Sequence, residues 1–355
     1  MSRSFVSVLI DTYNHERFIE QAITSVLEQD FPTSEREIIV VDDGSTDGTP
    51  EIVRKFQPRV RLLRKPNGGQ ASAFNIGIPE CTGGIVTFLD GDDWWARAKL
   101  SKVVDALHSH PEAGLIGHGI TEVYEDGREH AELLNQYPRF RIDSKSGAKL
   151  FRLRKSFLGT SRMTYRAELL RGLLPVPEGL RVEADEYLFT LAACRSSVVI
   201  LREALTFYRL HAGNLYQTQH FLPEAVRRKR QVLGALMCAL RDAMPRCGAP
   251  ADAIRVVLEV LEAEVDQMRL TLDGGPPWQT IKTEWTLYRI MHENAPWSHR
   301  MFRMLTILPA LVIPPVWFYA TRRYLAESTW YRRARRSVFP LPQFSHVDRS
   351  WKSPP

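Results

Sequence analysis

What the sequence lacks narrows it first. Its 355 residues hold four cysteines, Cys81, Cys194, Cys238 and Cys247, with no C-x-x-C pair and no histidine partners at zinc-finger spacing. That excludes a disulfide framework or a structural zinc as the organising device, and reduced thiols in a cytosolic setting fit best. No G-x-G-x-x-G follows the first apolar run, and no G-x-x-x-x-G-K-[ST] occurs anywhere. Neither the dinucleotide fingerprint nor the P-loop is therefore present to hold phosphate on backbone N–H groups. The opening M-S-R-S-F-V-S-V-L-I-D meets Asp11 after too short an apolar run for a signal peptide, so a non-secreted protein is expected.

What is there is ordinary in bulk and uneven in detail. Hydrophobic residues at 44% and charged ones at 25% give a globular chain with ample core, enough for one large domain or two average ones. The formal charge is +6, and much of the excess lies near one end. Arginines stand at 300, 303, 322, 323, 332, 333, 335 and 336, against the single acid Glu327. Lipid headgroups or nucleic acid would answer such a charge, and a solvated basic tail is the plainer account.

Strand and helix signals alternate through the first third. Apolar runs at 5–10, 37–41, 60–63 and 85–89 read as buried strands. Between them, Phe18, Ile19, Ala22, Ile23, Val26 and Leu27 recur at helical spacing, with Asn14 as N-cap, and Pro50 opens a second helix. Asn67-Gly68-Gly69-Gln70 turns into a third helix through Phe74, and 100–107 reads as a fourth. The pattern predicts a doubly wound, mostly parallel sheet, in which ligands sit beyond the C-terminal strand ends. Asp11, Asp42-Asp43 and Asp90-Gly91-Asp92-Asp93 all fall at those ends.

Residues 86–95, V-T-F-L-D-G-D-D-W-W, are the centre of this arrangement. Closely spaced carboxylates on a strand end are costly unless something positive answers them, and a divalent cation is the obvious answer. An acidic turn after a strand is the plainer one. Further on, 117–123 suggests a strand, 142–154 a polar loop leading into a helix, and 157–165 a buried crossing segment. Residues 181–187 open another helix, and 198–201 and 205–210 read as two strand-like pieces.

Taken in order, residues 1–215 resemble the family-two glycosyltransferases, which have the GT-A fold. The motifs are V-S-V-L-I-D-T-Y-N, I-I-V-V-D-D-G-S-T-D, N-G-G-Q-A-S-A-F-N-I-G and F-L-D-G-D-D-W-W, followed by E-A-D-E-Y and Y-R-L-H-A-G-N. The resemblance implies inverting transfer of a sugar from a nucleotide-diphosphate donor. It implies Thr12, Tyr13 and Asn14 beside the nucleotide, Asp43 accepting from the base, and Gln70 and Asn75 lining the donor pocket. Asp90 would lie near ribose or sugar, Asp92 would ligate Mg²⁺ or Mn²⁺, His211 would sit near metal or phosphates, and Asp185 would be the general base. Trp94, Trp95 and Glu186 are placed on the acceptor side. One departure leaves the donor sugar open: Ala73-Phe74 precede Asn75 where the family's motif often has Arg. Plainer readings stay beside these, with Asp185 as a helix-start carboxylate, the tryptophans as core and His211 as a satisfied buried histidine.

The last third predicts helices over 221–294, clearest at Ile254, Val257, Leu258, Leu261, Val265 and Met268. They would cover the acceptor side, pair with another subunit, or simply pack on the sheet. The domains expected are 1–215 (nucleotide-sugar half 1–110, acceptor half 111–215), a helical extension 216–299 and a basic, apolar segment 300–355. Within the last, 304–320 is barely long enough to span a bilayer and is broken by Pro309, Pro314 and Pro315. Flanking arginines with Trp317 and Tyr319 suit the headgroup zone instead.

The expected function is metal-assisted transfer from a nucleotide-diphosphate sugar, of the UDP-sugar kind, to a glycan or lipid-linked acceptor. It would serve cell-surface polysaccharide or glycolipid assembly at the cytoplasmic face of a membrane, without nucleic acid, with a homo-oligomer as an option. The rivals are a non-catalytic nucleotide-sugar-binding or membrane scaffold, and a sugar nucleotidyltransferase.

Overall fold

A computed structural model describes residues 5–132, 134, 138–211, 223–291 and 297–327. Strands β1 (Val6–Thr12), β2 (Arg36–Asp42), β3 (Arg61–Arg64) and β4 (Ile85–Asp90) alternate with helices α1 (Ile19–Leu27), α2 (Thr49–Arg54) and α3 (Gln70–Glu80). The short β5 (Trp94–Trp95) and α4 (Lys99–Ser109) come after them, then β6 (Ala113–Val123), β7 (Glu129–Ala131), β8 (Arg139–Phe140) and α5 (Lys145–Arg154). Next come β9 (Thr164–Arg166), α6 (Ala167–Arg171), α7 (Ala184–Arg195) and the long β10 (Ser197–Arg209).

The sheet order is β3-β2-β1-β4-β9-β6-β10-β5. Strands β1 to β4 pair in parallel, as do β6 and β10, while β9 runs antiparallel to both β4 and β6. The expected α/β architecture is therefore present, with one reversed strand joining its two parallel halves. Parallel strands are buried on both faces, which is why Val8, Leu9 and Ile10 are all fully buried. Helix α1 covers one face through Ile19, Ala22, Ile23 and Val26, each adding roughly 1.5–3 kcal/mol of burial for the larger side chains.

Two local expectations change. Residues 198–201 and 205–210 are one strand, β10, and not two. Register shifts around Ala204 absorb Arg202 and Glu203, which turn outward to the Leu134 carbonyl and Lys102. A polar pair that looks like a strand end is a bulge. Asn14 is also no helix cap: it sits at φ 56°, and the first α1 amide bonds the His15 carbonyl instead.

The last third forms a further helical layer. Helices α8 (Pro223–Arg246) and α9 (Ala251–Asp273) bury Leu233, Leu236, Leu240, Val257 and Leu261 in the same cluster as α7 and the sheet. Packing on the domain, the plainest of the three expectations, describes them. Helices α10 (Pro277–Met291), α11 (Trp297–Ile307) and α12 (Pro315–Glu327) complete the described chain. Leu270 of α9 packs with Ala310, Phe318 and Tyr319. Among the described residues no helix is long and apolar enough to cross a membrane. The arginines from Arg332 onward, part of the expected basic segment, lie outside the described residues.

Candidate functional site

The parallel register places Asp11 beside Asp90 and Thr12 beside Asp42 at the C-terminal strand ends. The chain then turns tightly: a Cβ on Gly91 would come within 2.5 Å of the Thr12 hydroxyl and 2.8 Å of His15 Nδ1, so only glycine lets these loops approach. Asp92 emerges from that turn between two imidazoles. His211 Nε2 lies 3.1 Å from Asp92 Oδ2 and His15 Nε2 lies 3.8 Å from it, with His15 Nδ1 3.2 Å from the Thr12 hydroxyl. Burial pushes the Asp92 carboxyl up, but the hydrogen bond from His211 and the flanking imidazoles outweigh it and hold Asp92 below its ordinary value.

The neighbouring carboxylates go the other way. Burial raises Asp11 to about 8, with Asp185 and Asp92 adding repulsion, and Asp11 Oδ1 has no hydrogen-bond partner among the described residues. Asp90 is raised well above its ordinary value by burial and then by Asp11, and Asp93 is raised to about 8 by burial and Asp92. Lys99, with no exposed surface, lies 3.7 Å over the Trp95 ring and donates to the Ser161 carbonyl at 2.7 Å. Burial pushes its ammonium well below the usual lysine range.

A single 3₁₀ turn, Thr160–Arg162, joins this acidic end to α7. The Thr160 amide and hydroxyl each lie 3.1 Å from Asp185 Oδ2 and donate to it. The next residue, Ser161, places its hydroxyl 2.6 Å from Asp93 Oδ2 and 3.2 Å from Asp90 Oδ2. One hydroxyl proton cannot serve both acids at once. Lys99 and Thr206 both donate to the Ser161 carbonyl and fix the turn. The segment expected only to cross the core is the clamp between the two carboxylate groups.

Asp185 accepts from the Glu186 amide at 2.8 Å as well, and burial raises its carboxyl. Just ahead of it, Glu183 holds a left-handed φ of 63°, and burial with the charges of Glu186 and Asp185 raises it to about 8. Gln70 spans the same junction, donating to the Thr160 hydroxyl and accepting from the Ala184 amide, both at 2.9 Å. Gly69, at φ 85°, passes so close to Arg181 that a Cβ would meet its backbone at 2.6 Å.

Not every expected residue faces this site. Asn75 exchanges two 2.8 Å hydrogen bonds with the Val176 backbone and so tethers α3 to that segment. Trp95 is buried core under Lys99, whereas Trp94 is half-buried, stacked 5.2 Å from Phe207 with Arg209 over its ring. Glu186 is buried against Lys155 (2.6 Å) and Arg152 (3.3 Å) in an internal ion pair. Asp43 accepts from the Gly68 and Gly69 amides, Asn67 and Lys65. A nucleobase N–H reaches it only by displacing one of these. Tyr13 is exposed, and Asn14 ties its loop to the next by accepting from the Thr46 amide.

Sequence reading left Asp11 outside its set of site residues and missed His15, Lys99 and the Thr160-Ser161 clamp. Only His15, three residues beyond Thr12 in the first motif, carried a usable signal. Among the described residues no group of three or more His, Cys, Asp or Glu is arranged as a metal cage. Asp92 with its imidazoles, beside the unsatisfied Asp11, nevertheless suits a cation that takes most of its ligands from a bound diphosphate.

Comparison with known proteins agrees with this geometry. The profile of glycosyl transferase family 2 matches residues 7–174. An uncharacterised glycosyltransferase of Nostoc sp. is 32% identical over 214 residues, 59% of this chain and 66% of that protein. The uncharacterised glycosyltransferase EpsJ of Bacillus subtilis is 31% identical over 59% of this chain and 62% of its own length. The match thus spans less than two thirds of either relative. Staphylococcus aureus TarS 1–349 in complex with UDP-GlcNAc superposes with a TM-score of 0.55 at 21% identity, over 81% of this chain and 82% of that one. The mannosyltransferase PcManGT of Pyrobaculum calidifontis, in complex with GDP-Man and Mn²⁺, gives 0.54 at 20% identity over 95% and 85%. At such identities the likeness is one of fold. Residues 7–174 therefore match glycosyl transferase family 2, and the chain's fold is that of the GT-A glycosyltransferase structures.

Proposed function

We propose that the chain is a metal-assisted, inverting glycosyltransferase. It would move a sugar from a nucleotide-diphosphate donor, of the UDP-sugar kind, to a hydroxyl of a glycan or lipid-linked acceptor in cell-surface polysaccharide or glycolipid assembly. The observation that carries the proposal is the clamp: consecutive residues Thr160 and Ser161 hold Asp185 on one side and Asp90 and Asp93 on the other. One carboxylate is thereby fixed close to, but apart from, a group that can face a diphosphate. The donors bound to TarS and PcManGT, and the Mn²⁺ of the latter, support the same reading.

In this mechanism Asp92, flanked by His211 and His15, would hold Mg²⁺ or Mn²⁺, which would supply Lewis-acid stabilisation of the departing diphosphate. The site's own residues do the rest. Asp185, raised by burial and held by Thr160, takes the proton from the acceptor hydroxyl as its oxygen approaches the anomeric carbon. A direct displacement from the face opposite the leaving group inverts that carbon and needs no nucleophilic side chain. Asp11 and Asp90, beside one another on adjacent strands, offer acceptors to the donor's sugar or ribose hydroxyls.

Nucleoside-diphosphate release in the presence of Mn²⁺ or Mg²⁺ tests the proposal. Wild type should turn over, and Asp92→Ala and Asp185→Asn should each lose most of that activity. Unchanged turnover in both variants would contradict it. Pyrophosphate release instead would identify a nucleotidyltransferase, and donor binding without any product would identify a scaffold.

A further inference from the structure

We propose that α11, the turn after it and α12 form a docking surface for the anionic leaflet of a membrane. The inference stands on the C-terminal helices and does not depend on the proposed reaction. One side of this segment is seated on the protein, where Ala310, Phe318 and Tyr319 are buried against Leu270 of α9. The other side is uncovered by the described chain. Trp297 is 74% exposed, Val312 81% and Trp317 70%, and Leu305, Leu308 and Leu311 lie open with them. So many large apolar side chains left open on one short segment mark an interaction surface rather than ordinary scatter.

Charge selects the partner. Between 297 and 327 the sequence carries Arg300, Arg303, Arg322 and Arg323 against Glu327 alone. Arg322 is bound to Glu284 of α10. Residues 328–355 add six Lys and Arg against Asp348. A second copy would bring like charge to like charge, and the chain's own tail offers no acid run to cover the surface. Anionic headgroups answer the charge while the apolar side chains enter the boundary beneath them. Tryptophan belongs to that zone. The helices have 11 and 13 residues and are separated by a proline-bearing 3₁₀ turn, Leu308–Leu311, so they are too short to cross and suited to lying flat.

The surface is also tied to the catalytic side. Glu264 of α9 binds Arg152, which binds Glu186 next to Asp185. Leu270, the seat of the surface, lies six residues along the same helix, about 9 Å further. Docking here would hold the Asp185 end of the domain near the leaflet.

The test is co-sedimentation of the full chain with vesicles of phosphatidylcholine alone, or with about a third phosphatidylglycerol. The second protein is a Leu311→Ser, Val312→Ser, Trp317→Ser variant, altered only at exposed positions and checked for an unchanged melting curve. Wild type should pellet with the anionic vesicles, less so with neutral ones and less at high salt, and the variant should lose about tenfold in apparent affinity, since exposed apolar side chains supply part of interfacial binding. Wild type remaining in the supernatant with anionic vesicles would overturn the proposal, as would a variant that pellets equally. A vesicle-free dimer that the variant abolishes would overturn it too, by assigning the surface to a second copy. Binding that emerges only after removal of residues 328–355 would likewise overturn it, by showing that the tail covers the surface.

Discussion

Asp185 and Glu186 are adjacent at the start of one helix, yet the fold sets them to opposite tasks. Glu186 is met by Lys155 and Arg152, whose charges overcome burial and hold it below its ordinary value. Asp185 receives only amide and hydroxyl hydrogen bonds, and burial raises it. Asp11, with an oxygen left unsatisfied among the described residues, stands with Asp185. A buried acid with a cationic partner inside the chain is spent on structure. One without such a partner is available to a ligand or a proton.

Substitution should separate the two classes. Asp92→Ala should have the largest effect, a loss of at least ~10³-fold in turnover with Mn²⁺ dependence abolished, since a metal contributes several kcal/mol to charge stabilisation. Glu186→Ala should act on stability instead, because it leaves Arg152 and Lys155 without their buried partner. We expect about 3 kcal/mol in urea unfolding. Glu183→Gln tests the raised carboxyls. A folded-state value of about 8, above the ordinary 4.5, means that the folded chain binds this proton more tightly than the unfolded one. Wild type should therefore lose stability relative to Glu183→Gln as pH rises from about 4.5 to about 8. The smallest effect is expected for Asn75→Ala, about 1 kcal/mol from the unpaired Val176 backbone, with donor affinity in a calorimetric titration unchanged. A loss of donor affinity there would return Asn75 to the donor pocket.

The strand-end half of this picture was legible because hydrophobic alternation fixes strands locally, and the end of a strand fixes where the next loop begins. Asp11, Asp42, Asp43, Asp90 and Asp92 could be placed on one edge from spacing alone. The partners that decide their roles could not. Asn75 meets Val176, Gln70 meets Thr160 and Ala184, and Ser161 meets Asp90 and Asp93, across separations that no local pattern encodes. Trp94 and Trp95 look alike in sequence and differ because strand side chains alternate faces, one toward Phe207 and one into the core. Lys99 gave no signal, since a lysine at a helix start ordinarily reads as solvated.

Asp185, and not its neighbour, is the residue proposed to remove the acceptor's proton. Single-turnover transfer by Asp185→Asn, run beside donor binding in the presence of Mn²⁺, tests that assignment most directly. Transfer should slow by roughly 10²–10⁴-fold with donor affinity intact. Transfer at the wild-type rate by Asp185→Asn would contradict it.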